Sequence, residues 1–109
     1  NHSLVAEGLD VAANSQISAK KYEAAEKLLD EALQIPAENE RLQKARIYLT
    51  YASLRRSERK FAEAFGYGQK ARALASENRQ IEGEYYLNVG RILFASGYDV
   101  SAIIWFEKA

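Results

Sequence analysis

The segment KYEAAEKLLDEAL (residues 21–33) decides the fold class, because its apolar residues recur at intervals of three and four. These residues are Tyr22, Ala25, Leu28, Leu29, Ala32 and Leu33. Such spacing places them on one face of an α-helix and leaves the charged residues on the other. Pro36 follows the segment, where a proline would end a helix. The segment therefore predicts one amphipathic helix that stops before residue 36.

Helical spacing continues along the rest of the chain, and no segment alternates strictly between apolar and polar residues. An example is the run Ala45, Tyr48, Leu49 and Ala52. The stretches that interrupt the pattern lie near residues 18–20, 35–38, 57–60, 76–78 and 96–99. They divide the chain into six helices joined by short turns. We therefore predict an all-α fold of helical hairpins in series.

The composition suits one folded domain over residues 1–109. Hydrophobic residues make up 48% of the 109 positions, which is enough to bury a core. Lys plus Arg and Asp plus Glu each number 15, so no excess of charge favours a nucleic acid or an anionic membrane. No apolar run approaches the roughly 18 residues of a membrane span. We expect neither a nucleic-acid partner nor membrane insertion.

The chain contains no cysteine, which excludes disulfides, a thiolate nucleophile and a cysteine-ligated metal. The absence of cysteine suits both the cytoplasm and the periplasm, and of the two we favour the cytoplasm. The first residues lack the form of a signal peptide, and they lack an initiating Met. We therefore expect a fragment of a longer protein, on which a signal would not be visible.

The deciding segment recurs twice at a regular interval. KFAEAFGYGQKARAL (residues 60–74) and YDVSAIIWFEKA (98–109) align with it on Ala25, Ala64 and Ala102, which are 39 and 38 residues apart. The helix upstream of each segment matches as well, with small residues at Ala13, Ala52 and Gly90. A period of this length is typical of stacked helical hairpins, and the small residues would let paired helices approach closely. We predict three units, at approximately 4–37, 41–76 and 79–109, the last of them truncated.

The third unit, YYLNVGRILFASGYDVSAIIWFEKA (residues 85–109), resembles the tetratricopeptide repeat family. The residues that match the family pattern W-x2-L-G-x2-Y followed by A-x3-F are Tyr86, Val89, Gly90, Leu93, Ala102 and Phe106. The first unit supplies Tyr22, Ala25, Leu29, Ala32 and Pro36 in the same way. The resemblance implies a right-handed α-solenoid of three antiparallel helix-turn-helix hairpins. The interval exceeds the family's period of about 34 residues, which implies longer helices or longer links.

The resemblance also implies a binding surface on the concave face, lined by the first helix of each hairpin. It places these residues there: Asp10, Asn14, Ile17, Arg46, Leu49, Ser53, Arg56, Glu84, Leu87, Arg91 and Phe94. Three arginines beside leucines and a phenylalanine would suit an extended peptide with acidic and apolar side chains. The alternative is that these residues are only the solvated side of amphipathic helices, and that the binding site lies elsewhere in the longer protein.

One specific function of the family is not expected. The carboxylate clamp that holds the C-terminal tails of chaperones needs lysines, asparagines and an arginine at set positions. Asn14 matches one of them, and the residues at the other four are Asp10, Thr50, Glu84 and Asn88. Two acids stand where the clamp needs cations, so we do not expect the chain to bind such a tail.

The C-terminal residues Ile103, Ile104, Trp105 and Phe106 make the last predicted helix apolar nearly all round. A true terminal repeat would present a polar outer face. Two explanations stay open. The chain is cut inside a longer array, or this end pairs with a second copy to form a homo-oligomer.

No residue pattern supports catalysis, a metal or a cofactor. His2 is the only histidine and stands at the frayed N-terminus, and the acid pair Asp30-Glu31 lies on a helix surface. The basic cluster RRSERK (residues 55–60) is interpreted as a solvated turn at a helix end rather than a phosphate site, because it does not recur in the other units. We expect the protein not to be an enzyme.

The stretch FGYGQK (residues 65–70) raises the alternative of a phosphate-binding loop. Such a loop follows a strand and opens a helix, whereas this stretch lies within a predicted helix of an all-α chain. Gly68 stands where the first unit has Leu29 and the third has Phe106. A neighbouring aromatic residue, Tyr48, Tyr85 or Tyr86, is therefore expected to fill the missing volume. Gly66 has no such explanation.

The leading functional hypothesis is a scaffold that binds a protein or peptide partner. Repeats of this length are similar to those of bacterial regulators in which helical repeats stand beside an output domain, so the fragment would belong to a regulatory or sensor protein. The alternative is a structural or self-associating segment that spaces or oligomerises neighbouring domains.

Overall fold

A computed structural model of the protein describes residues 2–37 and 39–97, and these residues form five α-helices without any strand. The helices are α1 (His2–Ser18), α2 (Tyr22–Leu33), α3 (Glu40–Ser57), α4 (Phe61–Ala75) and α5 (Arg79–Ala95). The prediction of an all-α fold is thus confirmed for this part of the chain. The predicted sixth helix, with Ile103, Ile104, Trp105 and Phe106, lies outside the described residues. None of the five helices is long and apolar enough to cross a bilayer.

Each of the predicted interruptions begins where a helix ends, and two of the helices that follow begin with an asparagine cap. The Asn39 side chain accepts a hydrogen bond from the amide of Leu42 at 3.2 Å, at the start of α3. The Asn78 side chain accepts from the amides of Gln80 and Ile81, at 3.0 and 3.1 Å, at the start of α5. Such caps satisfy amides that the first helical turn leaves without a carbonyl partner.

The turns after α1 and α3 have the same backbone conformation. Lys20 and Arg59, which are 39 residues apart, have φ angles of 62° and 63°. In the first turn the amides of Lys20 and Lys21 donate to the carbonyls of Ile17 and Gln16 at 2.9 and 2.8 Å. The second turn has the matching pairs, at the same two distances, from Arg59 to Arg56 and from Lys60 to Arg55. Both turns therefore end a helix through one left-handed residue that is not glycine.

Replacing Lys20 with glycine is expected to stabilise the protein by about 1 kcal/mol, since a side chain in the left-handed region costs roughly that much. The turn after α5 already has glycine at the matching place, Gly97 with φ 75°. There Gly97→Ala should lower stability by a similar amount. Chemical denaturation would measure both changes. Lys21→Gly is the control, because Lys21 has a φ of −96° and no strain to relieve; an equal gain there would contradict the explanation.

The third helix is central to the packing. It contacts all four other helices, α1, α2, α4 and α5. The α2 helix packs against α1 and α3, and α4 packs against α3 and α5. The first helices of the successive predicted units thus adjoin one another in chain order.

Two main apolar clusters lie on opposite sides of α3. The first cluster joins α1, α2 and α3 through Ala13, Ala25, Leu29, Ala32, Ile47, Tyr51 and Leu54. The second cluster joins α3, α4 and α5 through Ala45, Leu49, Ala71, Ala75 and Ile81, and a smaller group of Ala64, Phe65 and Ile92 joins α4 to α5. The alanines expected at close helix crossings, Ala13, Ala25, Ala52 and Ala64, are all fully buried. Gly90 is exposed, and the segment predicted to pack against it lies outside the described residues.

Gly66 and Gly68 both lie inside α4, which excludes the strand-loop-helix setting of a phosphate-binding loop for FGYGQK. A Cβ atom at Gly68 would lie 2.7 Å from Nδ2 of Asn88 and 3.6 Å from Cδ1 of Tyr85. One of the three expected aromatic residues, Tyr85, therefore borders this gap together with an amide that was not expected. A Cβ atom at Gly66 would meet nothing within 4 Å.

Candidate functional site

A groove with a volume of about 390 Å³ lies between α1, α3 and α5. Its lining comes from twelve residues of these three helices, ten of them polar or charged. They are Asp10, Asn14, Arg46, Leu49, Thr50, Ser53, Arg56, Gln80, Glu84, Leu87, Asn88 and Arg91. On α5 the lining residues recur at intervals of three and four, which keeps them on one face of the helix.

All but two of the residues predicted for the concave face line this groove. The exceptions are Ile17 and Phe94. Ile17 is partly buried and packs against the first apolar cluster instead. Phe94 continues the α5 stripe towards the end of the helix, where its side chain is 72% exposed and lies outside the groove lining.

Three lining residues were not predicted as binding residues: Thr50, Gln80 and Asn88. Each stands four positions from a predicted residue, Thr50 from Arg46 and the other two from Glu84. Residues four apart lie one above the other on a helix. Thr50 and Asn88 therefore lie within the predicted stripes, and Gln80 lies one turn before the stripe of α5.

One end of the groove is acidic. Burial raises the pKa of Asp10 above its ordinary value, and the charges of Glu84 and Glu7 raise it further. The Thr50 hydroxyl and the Arg46 charge act in the opposite direction without cancelling the shift. The Oδ1 atom of Asp10 is buried and has no hydrogen-bond partner among the described residues. This carboxyl group is therefore unfavourably placed when it is ionised.

Asp10→Asn is expected to stabilise the protein at pH 7. A folded-state pKa above the unfolded value means that the ionised carboxylate opposes folding, and the neutral amide does not. The gain should shrink as the pH falls through the folded-state pKa and vanish below the ordinary aspartate pKa of 3.8, where Asp10 is protonated in both states. Thermal unfolding between pH 3 and pH 7 would measure it. Glu31→Gln, an exposed acid on α2, is the control, and a less stable Asp10→Asn protein at pH 7 would contradict the prediction.

The other end of the groove is basic. Burial lowers the pKa of Arg56, and the positive charge of Arg91 lowers it further. The Nη1 atom of Arg56 is buried without a hydrogen-bond partner among the described residues. Within the described ranges, neither of these arginines nor Arg46 forms an ion pair with a carboxylate. The groove thus contains guanidinium groups whose hydrogen-bonding capacity is unused by the described carboxylates.

The interpretation of RRSERK as a solvated turn is wrong for its first residue. Arg55 is only 9% exposed, and it forms ion pairs with Glu58 at 2.7 Å and with Glu26 of α2. Burial alone would lower the pKa of Arg55, but the hydrogen bonds that Arg55 donates to Glu58 and Glu26 outweigh it and raise the pKa. Its Nε atom lies 3.9 Å from Glu63 of α4. Arg55 therefore connects three helices on the side of α3 away from the groove, where it is not available to a ligand.

The groove presents carboxylates, guanidinium groups and amides beside two leucines. In the described part of the chain, no group of three or more His, Cys, Asp and Glu residues is arranged to hold a metal ion. Comparison of the chain with models of known protein families, with curated proteins and with solved structures gives no match.

Proposed function

We propose that the protein is a non-enzymatic interaction scaffold that binds an extended protein segment in the groove between α1, α3 and α5. The segment would carry acidic and apolar side chains. The observation that carries this proposal is the set of three groove arginines, Arg46, Arg56 and Arg91, without an ion-paired carboxylate in the described residues. Leu49 and Leu87 line the same groove and supply apolar contacts.

The dimensions of the groove suit a short extended segment. Gln80 and Arg91 lie at the two ends of the α5 lining and are eleven residues apart. That separation is about 16 Å along a helix axis, which equals about five residues of extended chain. Helical repeat proteins use extended concave surfaces of this kind for binding.

The proposal includes the architecture of a right-handed solenoid of tetratricopeptide type with six helices. It is supported by the matching turns at Lys20 and Arg59, by the buried pair Ala25 and Ala64, and by the chain-order contacts of α1, α3 and α5. In such a solenoid the groove is the concave face. The five positions of the chaperone-tail clamp all line the groove, but two of them are the acids Asp10 and Glu84, so a different partner is proposed.

Binding should depend on Arg91. An array of blocked peptides that combine glutamates with leucines would identify a binding sequence, and fluorescence polarisation would give its affinity. Reversing the charge with Arg91→Glu should weaken binding at least tenfold, because an attractive contact becomes a repulsive one. Arg79→Glu is the matched control, since Arg79 is an exposed residue of α5 outside the groove lining and the change in net charge is the same.

Two outcomes would contradict the proposal. One is that no peptide in the array binds to the unmodified protein. The other is that Arg91→Glu and Arg79→Glu weaken binding equally, which would indicate a non-specific charge effect. The alternative of a self-associating segment depends on Ile103, Ile104, Trp105 and Phe106, which lie outside the described residues.

A further inference from the structure

We propose that Arg56 and Arg91 together hold one oxyanion at the basic end of the groove, so that a single carboxylate or phosphate group anchors the bound segment. This inference deepens the proposed function and rests on it in one respect: the bound molecule is taken to be a protein segment. Both arginines line the groove, one from α3 and one from α5, so an anion there would also connect these two helices.

The first argument is the unused donor of Arg56. Its Nη1 atom is buried and has no acceptor among the described residues. A buried N–H group without an acceptor is unfavourable, because it has lost its hydrogen bond to water and gained none in return. An oxyanion in the groove would supply the acceptor. The planar guanidinium group can give two parallel hydrogen bonds to a carboxylate or a phosphate.

The second argument is the proximity of two like charges. Arg91 lies close enough to Arg56 for its charge to lower the pKa of Arg56, in addition to the larger effect of burial. No carboxylate of the described residues forms an ion pair with either arginine. Two cations that share a partly buried site repel each other, and an anion between them turns that repulsion into two attractive contacts.

The carboxylates at the acidic end of the groove restrict the anion to the basic end, at Arg56 and Arg91. Glu84 stands seven residues before Arg91 on the same face of α5, which is about 10 Å along the helix axis. Glu84 lies near Asp10, and so does Arg46, since both of their charges act on the pKa of Asp10. An anion at that end would meet these carboxylates, whereas none is paired with Arg56 or Arg91. Arg46 is therefore not part of the proposed subsite.

Inorganic phosphate is the first probe, with thermal unfolding as the readout and sodium chloride at equal ionic strength as the reference. Phosphate at about ten times its dissociation constant should raise the Tm by several degrees. Arg56→Gln and Arg91→Gln should each abolish the rise, and the double variant should lose no more than either single one, because one anion needs both groups. Arg79→Gln should keep the full rise.

The variants are not expected to lose stability in the absence of phosphate, since each removes a repulsion between cations. A lost response therefore reports lost binding rather than unfolding. The inference is overturned if phosphate has no effect beyond that of chloride, if Arg79→Gln loses the response equally, or if the effects of the two groove variants simply add. Additive effects would mean that Arg56 and Arg91 each make a separate weak contact with phosphate.

A peptide series separates this inference from the proposed function. One binding peptide would be made with glutamate, phosphoserine or alanine at its anionic position. We expect the alanine form to bind at least tenfold more weakly than one of the anionic forms, and the tighter anionic form identifies the group. Equal binding of all three would overturn the anion subsite and leave the proposed function intact. A phosphate response without any peptide binding would overturn the proposed function and support the subsite.

Discussion

Gly68→Leu is expected to lower the free energy of unfolding by about 3 kcal/mol, the sum of overpacking and of a broken hydrogen bond. A Cβ atom at this position would lie 2.7 Å from the Asn88 amide nitrogen, so Asn88 would have to move. Asn88 is buried and donates to the carbonyl of Ala64 at 3.5 Å. The gain in helix propensity from replacing glycine, about 1 kcal/mol, does not offset these costs. Urea denaturation followed by circular dichroism would measure the loss.

The neighbouring glycine of the same helix is the control for this prediction. Gly66→Ala should raise stability by up to about 1 kcal/mol, because a Cβ atom there meets nothing within 4 Å. A smaller substitution tests the mechanism. Gly68→Ala should be less harmful when Asn88→Ala has already removed the obstructing amide. Unchanged or improved stability of Gly68→Leu would show that the volume beside Gly68 is not filled.

Arg55→Leu is expected to lower stability by about 3 kcal/mol, in the range found when one partner of a buried ion pair is removed. The Arg55 side chain is 11% exposed, and Glu58, only 20% exposed, would lose its close cation and keep only Lys60, at 4.0 Å. Glu26 would lose its cation as well, although at 41% exposure it can partly recover by hydration. Chemical denaturation at pH 7 would measure the effect. Arg56→Leu is the matched control, because Arg56 has no ion pair with a described residue and should cost little.

A second variant tests whether the loss comes from unpaired carboxylates. Adding Glu58→Gln and Glu26→Gln to Arg55→Leu should restore part of the stability, because neutral amides replace the unpaired charges. If the triple variant is as unstable as Arg55→Leu alone, then lost packing of the arginine stem explains the effect instead. The two explanations therefore give different rankings of the same variants.

Much of the fold follows from local signals in the sequence. Pro36 and Gly97 mark ends of helices by themselves, and Asn39 and Asn78 are strong N-caps. Apolar spacing predicts which alanines are buried at the helix crossings. The burial of Arg55 could not be predicted, because periodicity treats arginine as a surface residue and its partner Glu26 lies 29 positions away. Contacts between distant charged residues leave no local pattern.

Most of the residues that line the groove could also be predicted, but from the repeat rather than from local signals. The polar stripes of α1, α3 and α5 can be read from each helix separately, and the repeat aligns the stripes with one another. Ile17 lies outside the groove lining because its side chain packs against the first apolar cluster, as Leu9 and Tyr22 do. The proximity of Arg91 to Arg56 could not be predicted, because the sequence alone does not show which cations of neighbouring helices adjoin.

The central place of α3 has a consequence for how the protein opens. Ile47 and Leu54 of this helix belong to the first apolar cluster, whereas Ala45 and Leu49 belong to the second. Separating the helices around either cluster exposes one side of α3, so neither cluster can open independently of the other. The amide hydrogens in the middle of α3 should accordingly exchange with solvent deuterium only through unfolding of the whole domain, at a rate set by the global free energy.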